Sequence, residues 1–201
     1  MLNPKMHLQL TALWIVLGMA GCDNPFATRE PEPPKQTQSN WIQPVSPTYV
    51  LINLRNAVSE KNRSNYLRCL SDSSTAKRSF SFIADPAVAN VYPALFSRWG
   101  KEEEANYLNQ LFSYVPKDST AKLSFERLNE TVYQDSVVLL QNYELTVHYK
   151  CSEPNCPHVF RGQAEFHFIR SEDQIWYIAK WIDYSTGDLP TWSLLKARFG
   201  Q

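Results

Sequence analysis

The chain has 201 residues, and its 20 Lys+Arg are matched by 20 Asp+Glu. That balance offers no basic field for nucleic acid, and no charge run forms an acidic or basic arm. After an amino-terminal leader no apolar stretch reaches the ~20 residues a membrane-spanning helix needs, which leaves one domain of about 155 residues, enough for a substantial core.

Lys5 followed by the short apolar run Leu8–Ala20 has the form of a secretory signal. The run closes on Leu17-Gly18-Met19-Ala20-Gly21-Cys22, which resembles the bacterial lipobox, with Met19 in place of the usual Leu. The resemblance implies a signal peptide over 1–21, cleavage before Cys22, a diacylglycerol thioether on its sulfur and usually a further acyl chain such as palmitate. Several acyl chains hold a domain on a bilayer where one would be marginal. The expected address is therefore the bacterial cell envelope, lipid-anchored to a membrane. Residues 22–45, with Pro25, Pro31, Pro33, Pro34 and Pro44, read as an extended tether, with Trp41 and Ile42 the first to dock on the fold. Residues 46–201 are the domain.

Ser46-Pro47 is a helix start, and Val50, Leu51, Leu54 and Val58 recur at helical spacing behind it. A second short helix fits Asn62–Leu70, with Cys69 in its apolar pattern as a small buried residue. Phe80–Ile83 reads as a short strand ended by Asp85-Pro86, and Pro93–Trp99 as a helical turn. Glu102–Tyr114 is a clearer helix. Ala105, Leu108, Leu111, Phe112 and Val115 form its buried stripe, and Glu102, Glu103 and Glu104 are expected to make a solvated acidic first turn.

Four strands follow in a meander: Lys122–Val132, Val137–Tyr149, His158–Arg170 and Gln174–Tyr184. Phe160, Gly162, Ala164, Phe166 and Phe168 alternate with Arg161, Gln163, Glu165 and His167, so one face is wrapped and one is wet. Leu139, Gln141, Tyr143, Leu145 and Val147 form the matching face of the neighbouring strand. Setting Cys151 across from Cys156 pairs Tyr143 with Ala164 and Gln141 with Phe166. A two-residue turn at Glu172-Asp173 pairs Tyr177 with Phe168, Trp181 with Ala164 and Asp183 with Gly162. The small residues Gly162 and Ala164 mark either a hollow or a close approach of another element. The same parity sends Trp176, Ile178, Ile182 and Tyr184 outward, a patch that needs cover from Leu189–Phe199 or from another protein. A homodimer or an envelope partner held through Trp176, Ile178 and Ile182 follows from that reading.

Cys151 and Cys156 bracket a hairpin loop and suit a disulfide. The competing reading is a metal site, since His148, Cys151, Cys156 and His158 give H-x₂-C-x₄-C-x-H. Parity opposes it by sending His148 to the other face, which leaves Cys151, Cys156 and His158 as ligands. Free thiols are the third possibility.

The order Val50-x₃-Leu54-x₃-Val58, Phe80-Ser81-Phe82, then paired aromatic strands ending Trp176-Tyr177-Ile178-x₂-Trp181-x-Asp183 is similar to the nuclear-transport-factor-two-like superfamily. The resemblance implies an α+β cone: a curved antiparallel four-stranded meander with amino-terminal helices packed on its concave face. It also implies a pocket in the cone, lined here by Gln141, Tyr143, Ala164, Phe166, Trp181 and Asp183. Catalytic members of that superfamily place Asp, His or Tyr inside the cone, which carries over to Asp183 as a base with Tyr143 or Tyr177, and more distantly to Asp85. An Asp at a strand end also commonly caps backbone amides. The reading of the whole chain is a lipid-anchored, non-enzymatic ligand- or partner-binding domain with no cofactor and no nucleic acid. The alternatives are a pocket enzyme of the isomerase or dehydratase type, and a structural protein dimerising through the outer sheet face.

Overall fold

The structure is a computed structural model in which residues 39–201 are described; the signal sequence, Cys22 and most of the tether lie outside the described residues. The packed unit begins at Ser39 and not at residue 46, because a short strap docks ahead of the first helix. Ile42 exchanges backbone hydrogen bonds with the buried side chain of Asn53, Pro44 accepts from the Trp176 amide, and Trp41 lies under the Arg68 guanidinium at 3.9 Å.

Helix α1 (Pro47–Ser59) starts where Ser46 and Pro47 set it, and buries Val50, Leu54, Ala57 and Val58. Helices α2 (Arg63–Arg68) and α3 (Ser73–Ala76) follow, capped by Asn62 and Asp72. Strand β1 (Ser81–Ile83) leads to α4 (Pro86–Val91), capped by Asp85, and α5 (Pro93–Phe96). Helix α6 (Lys101–Tyr114) opens with the Glu103 carboxylate accepting the Gly100 amide. The meander is β2 (Lys122–Val132), β3 (Ser136–Thr146), β4 (Val159–Arg170) and β5 (Trp176–Tyr184), and α7 (Trp192–Phe199) closes the chain. Among these residues no helix is long and apolar enough to cross a membrane.

The sheet has five strands, in the order β1-β5-β4-β3-β2, one more than the expected meander. The addition is β1, which runs parallel to β5 and covers its free edge. The β3–β4 register differs from expectation by two residues: Tyr143 faces Gly162 and Gln141 faces Ala164. The disulfide loop therefore closes asymmetrically outside the ladder. A slip of two preserves every side-chain face, so the lining is as expected.

The β4–β5 pairing carries two separate corrections. The turn runs from Ser171 to Ile175 with Gln174 in the left-handed region (φ 63), one residue longer than a Glu172-Asp173 turn. A bulge then inserts Ala179 opposite the His167/Phe168 step. The turn flips the parity of Trp176–Ile178, and the bulge restores it for Trp181 and Asp183. Trp181 thus faces Phe166 and Asp183 faces Ala164. Ile178 sits opposite Phe168 inside the core, fully buried, and Trp176 packs toward the core as well. The outer patch built on Trp176, Ile178 and Ile182 accordingly does not exist in that form, while Tyr177 turns outward beside Ile169.

Helix α7 lies on the concave side, where the sequence reading offered it as a cover for the outer face. Trp192 meets Trp181 edge-on at 4.6 Å, and Phe199 meets Tyr149 edge-on at 5.1 Å. Trp192, Leu195 and Phe199 recur at helical spacing, and that stripe needs the largest apolar surface on offer, which is the aromatic floor of the sheet.

Candidate functional site

Asp183 stands at the centre of the cone with no solvent exposure. Its Oδ1 accepts from the Tyr143 hydroxyl at 2.8 Å, and its Oδ2 accepts from the Ser193 amide at 2.7 Å and the Ser193 hydroxyl at 2.5 Å. The Tyr143 oxygen in turn accepts the Trp192 amide at 2.7 Å. Burial pushes the Asp183 carboxyl above its ordinary range, against the pull of the Ser193 and Tyr143 hydrogen bonds. Burial also drives the Tyr143 hydroxyl well up, and the Asp183 charge adds to this. Asp183 and Tyr143 are therefore brought together as expected, but their partners come from the first turn of α7. The carboxylate ties down that helix, the capping role, and no open space reaches it.

Gly162 and Ala164 lie beneath this pair, and the choice between hollow and close approach resolves to the second. A Cβ on Gly162 would meet the Tyr184 carbonyl oxygen at 2.4 Å and the Tyr143 hydroxyl at 2.8 Å. The missing side chain is what lets Tyr143 cross to Asp183. Tyr177 points away from the cone and lines a cleft of about 590 Å³ with Trp41, Arg68, Asp72 and Lys101, so it is no partner for Asp183. Asp85 caps α4 through Ala87 and Val88 and accepts the Ser185 amide at 2.9 Å.

A second buried cluster was not foreseen. Glu104, expected in a solvated turn, is completely buried and paired with Lys196 of α7, which is equally buried. Glu104 also accepts from the Tyr66 hydroxyl and the Trp99 indole, each at 2.6 Å. The Lys196 ammonium sits inside an aromatic box, 4.3 Å from the Phe82 ring centre, 4.6 Å from Trp181 and 5.1 Å from Tyr107. Desolvation lowers the Lys196 pKa, while Glu104 works to hold it up. The signal was present in the sequence. Glu104 is in line with Leu108 and Leu111, and Lys196 with Trp192 and Phe199, so each charge occupies a stripe that must be buried. A charge there requires a partner.

The concave face opens beside α1. Thr48, Leu51, Ile52 and Arg55 of α1 face Phe125 and Arg127 of β2 and Gln141 of β3 across a groove of about 220 Å³. Arg127 donates to Glu130 at 2.6 Å and to the Thr48 hydroxyl at 3.2 Å. Gln141 is 3% exposed, and its Nε2 has no hydrogen-bond partner. Of the expected lining residues, Gln141 reaches this groove. Ala164, Phe166, Trp181 and Asp183 are fully buried, while Tyr143 and Gly162 border a separate cleft of about 580 Å³ with Phe125 and Arg161.

Cys151 and Cys156 are joined in a disulfide. The Arg198 guanidinium caps both sulfurs and pairs with Glu153 at 2.9 Å. His158 turns its Nδ1 to the Val147 carbonyl at 3.2 Å and stands apart from the cluster of Cys151, Glu153 and Cys156, in which the disulfide takes up both sulfurs, so Cys151, Cys156 and His158 are not gathered as a ligand set. Cys69 is buried, which pushes its thiol up, as befits a packing residue.

No family model matches this sequence, and no curated protein matches it. Solved structures do match in three dimensions. A candidate aromatic ring hydroxylase from Novosphingobium aromaticivorans superposes with a TM-score of 0.53 at 11% identity, over 71% of this chain and 87% of that one. A conserved protein from Planctomyces limnophilus gives 0.52 at 14% identity, over 68% and 91%. A nuclear transport factor 2-like superfamily protein from Salmonella enterica serovar Typhimurium gives 0.50 at 13% identity, over 70% and 89%. This chain has the nuclear-transport-factor-two-like fold. At such identities the likeness is one of architecture.

Proposed function

We propose that the chain is a lipoprotein of the bacterial cell envelope, anchored through acyl chains on Cys22, whose domain binds a ligand or partner and performs no turnover. The address rests on the lipobox-like run ending at Cys22. The binding role rests on one observation above the rest: Asp183, the best-placed carboxylate for proton abstraction, is saturated by Tyr143 and Ser193 and shut behind Trp192. An isomerase or dehydratase would need its substrate within hydrogen-bond reach of that carboxylate, and α7 occupies the space. Clefts that reach solvent lie beside α1, at the strap, at the disulfide loop, and beside Tyr143 and Gly162 at Arg161, and Asp183 lines none of these four.

Native mass spectrometry of the full chain, extracted from bacterial envelopes in mild detergent, tests the reading. The expected spectrum carries the mass of a diacylglycerol thioether, absent from Cys22→Ala, together with any co-purified ligand or partner. An unmodified Cys22 in membrane-extracted protein would sink the address. Turnover of a small substrate that is lost in a well-folded Asp183→Asn variant would sink the binding role.

A further inference from the structure

The groove beside α1 is a built site and not a gap in packing. From its geometry we infer that it binds a carboxylate carrying a short apolar tail, either a small organic acid or the carboxyl end of a peptide chain. The inference rests on the ligand-binding reading above and names what the ligand must be.

Two guanidinium groups, Arg55 and Arg127, border the groove, and one carboxylate, Glu130, pairs with Arg127. Among the described residues Arg55 makes no ion pair, so the rim carries a net positive charge. Between them lies the Gln141 amide, almost wholly out of water, with its nitrogen unpartnered. A buried amide donor without an acceptor is unfavourable unless something supplies one. Gln141 is one of the residues lining the groove, so the acceptor is expected from there. A carboxylate fits this donor set, because it is planar and accepts from a guanidinium fork on one side and an amide on the other. The rest of the lining is Leu51, Ile52 and Phe125, whose side chains offer only carbon, and Thr48, whose hydroxyl already accepts from Arg127. Phe125 is fixed edge-on against Phe166 at 5.6 Å, so that wall is rigid. The volume of about 220 Å³ falls below the ~300 Å³ at which drug-sized pockets begin. A short acid or a chain end fits, and a larger ring system does not.

The test is ligand-observed saturation-transfer NMR on the full chain in neutral detergent. The probes are butyrate, benzoate, butyramide, inorganic phosphate, and a short peptide ending in Val as its free acid and as its amide. Saturable binding of the carboxylates, with butyramide and the peptide amide inactive, supports the site. If only the peptide acid binds, the source is a chain end; if butyrate or benzoate binds, it is a free acid. Arg127→Gln and Gln141→Leu should each weaken binding by about ten-fold or more, while Arg161→Gln on the outer face leaves it unchanged. Gln141→Leu also removes the orphaned amide, so it should melt no lower than the parent, and lost binding then cannot be blamed on lost folding. Equal binding of acid and amide, binding of phosphate in preference to carboxylate, or indifference to both groove variants overturns the inference. Failure of every probe also overturns it, yet a ligand or partner retained on the envelope-extracted protein would leave the broader binding role standing.

Discussion

Removing the charge from Lys196 should expose how much α7 depends on its buried pair. In Lys196→Met the side chain keeps its length and apolar body, so the aromatic box of Phe82, Tyr107 and Trp181 stays filled. Glu104 is then left as a carboxylate with no solvent exposure and only two neutral donors, Tyr66 and Trp99. Breaking one side of such a pair costs about 3–5 kcal/mol, which for a domain of this size lowers Tm by roughly 10 °C. The sign of the pH dependence follows from the same step. An unpaired buried carboxylate has its folded-state pKa raised, so its protonation favours the folded state below the unfolded carboxyl pKa, and that benefit is lost as pH rises through the folded value. Lys196→Met should therefore recover stability on acidification relative to the parent. Adding Glu104→Gln should rescue it, because the amide oxygen accepts from Trp99 while its nitrogen donates to a rotated Tyr66 hydroxyl. Urea unfolding followed by tryptophan fluorescence at pH 5 and pH 7.5 gives the full double-mutant cycle. A loss below about 1 kcal/mol in the single variant, or a double variant as poor as the sum of its parts, would refute the account.

Gly162→Ala should destabilise by about 1–3 kcal/mol, since the new methyl strikes the Tyr184 carbonyl, which is backbone and cannot swing away; urea titration measures it. Asp183→Asn replaces an acceptor-only group that serves three donors with one that must orphan at least one, a loss of about 2–4 kcal/mol at neutral pH. Because burial raises the Asp183 pKa, its protonated form favours folding below the unfolded carboxyl pKa, a contribution lost as pH rises through the folded value; Asn cannot titrate and lacks it, so the gap between parent and Asn variant should widen as pH falls toward 4. Cys151→Ser with Cys156→Ser opens a loop only five residues apart in sequence, and should lower Tm by a few degrees while leaving the sheet's circular dichroism unchanged.

The β-meander was legible because Phe160–Phe168 and Leu139–Val147 alternate, and period two is hard to produce any other way. Slips of two residues in register left that reading intact, since they do not change which side chains face the core. The segment Trp176-Tyr177-Ile178-Ala179-Lys180-Trp181 was a different matter. It is apolar in both parities, so nothing in its pattern marked the Ala179 bulge or sent Ile178 inward. The stripe of Trp192, Leu195 and Phe199 announced that α7 would be buried but not against which surface. Once α7 is on the concave face, Ser193 and Lys196 acquire partners 10 and 92 residues away, a pairing no local pattern encodes. Strand β1 illustrates the converse: Phe80–Ile83 was readable as a strand, while its parallel place beside β5 depends on the crossover between them.

Two polar locks on one short apolar helix serve to fix position more than to add stability. A helix presenting Trp192, Leu195 and Phe199 to a floor of aromatic rings could seat itself in several registers a turn apart with little difference in buried area. Ser193 and Lys196 are three residues apart on one face, and each meets an acid from a different element, Asp183 of β5 and Glu104 of α6. Moving α7 by one turn would strand both charges of the Glu104 pair and orphan the Asp183 oxygens, so only one register satisfies all of them. The Lys196→Met, Glu104→Gln variant should consequently keep most of its stability yet lose this uniqueness. Amide exchange in α7 is the readout: protection from Leu195 to Phe199 should fall by about ten-fold or more, equivalent to 1.4 kcal/mol of local opening, while β3 and β4 keep theirs. Unchanged protection in α7 would mean that shape alone seats the helix, and that the buried pair has no part in choosing its register.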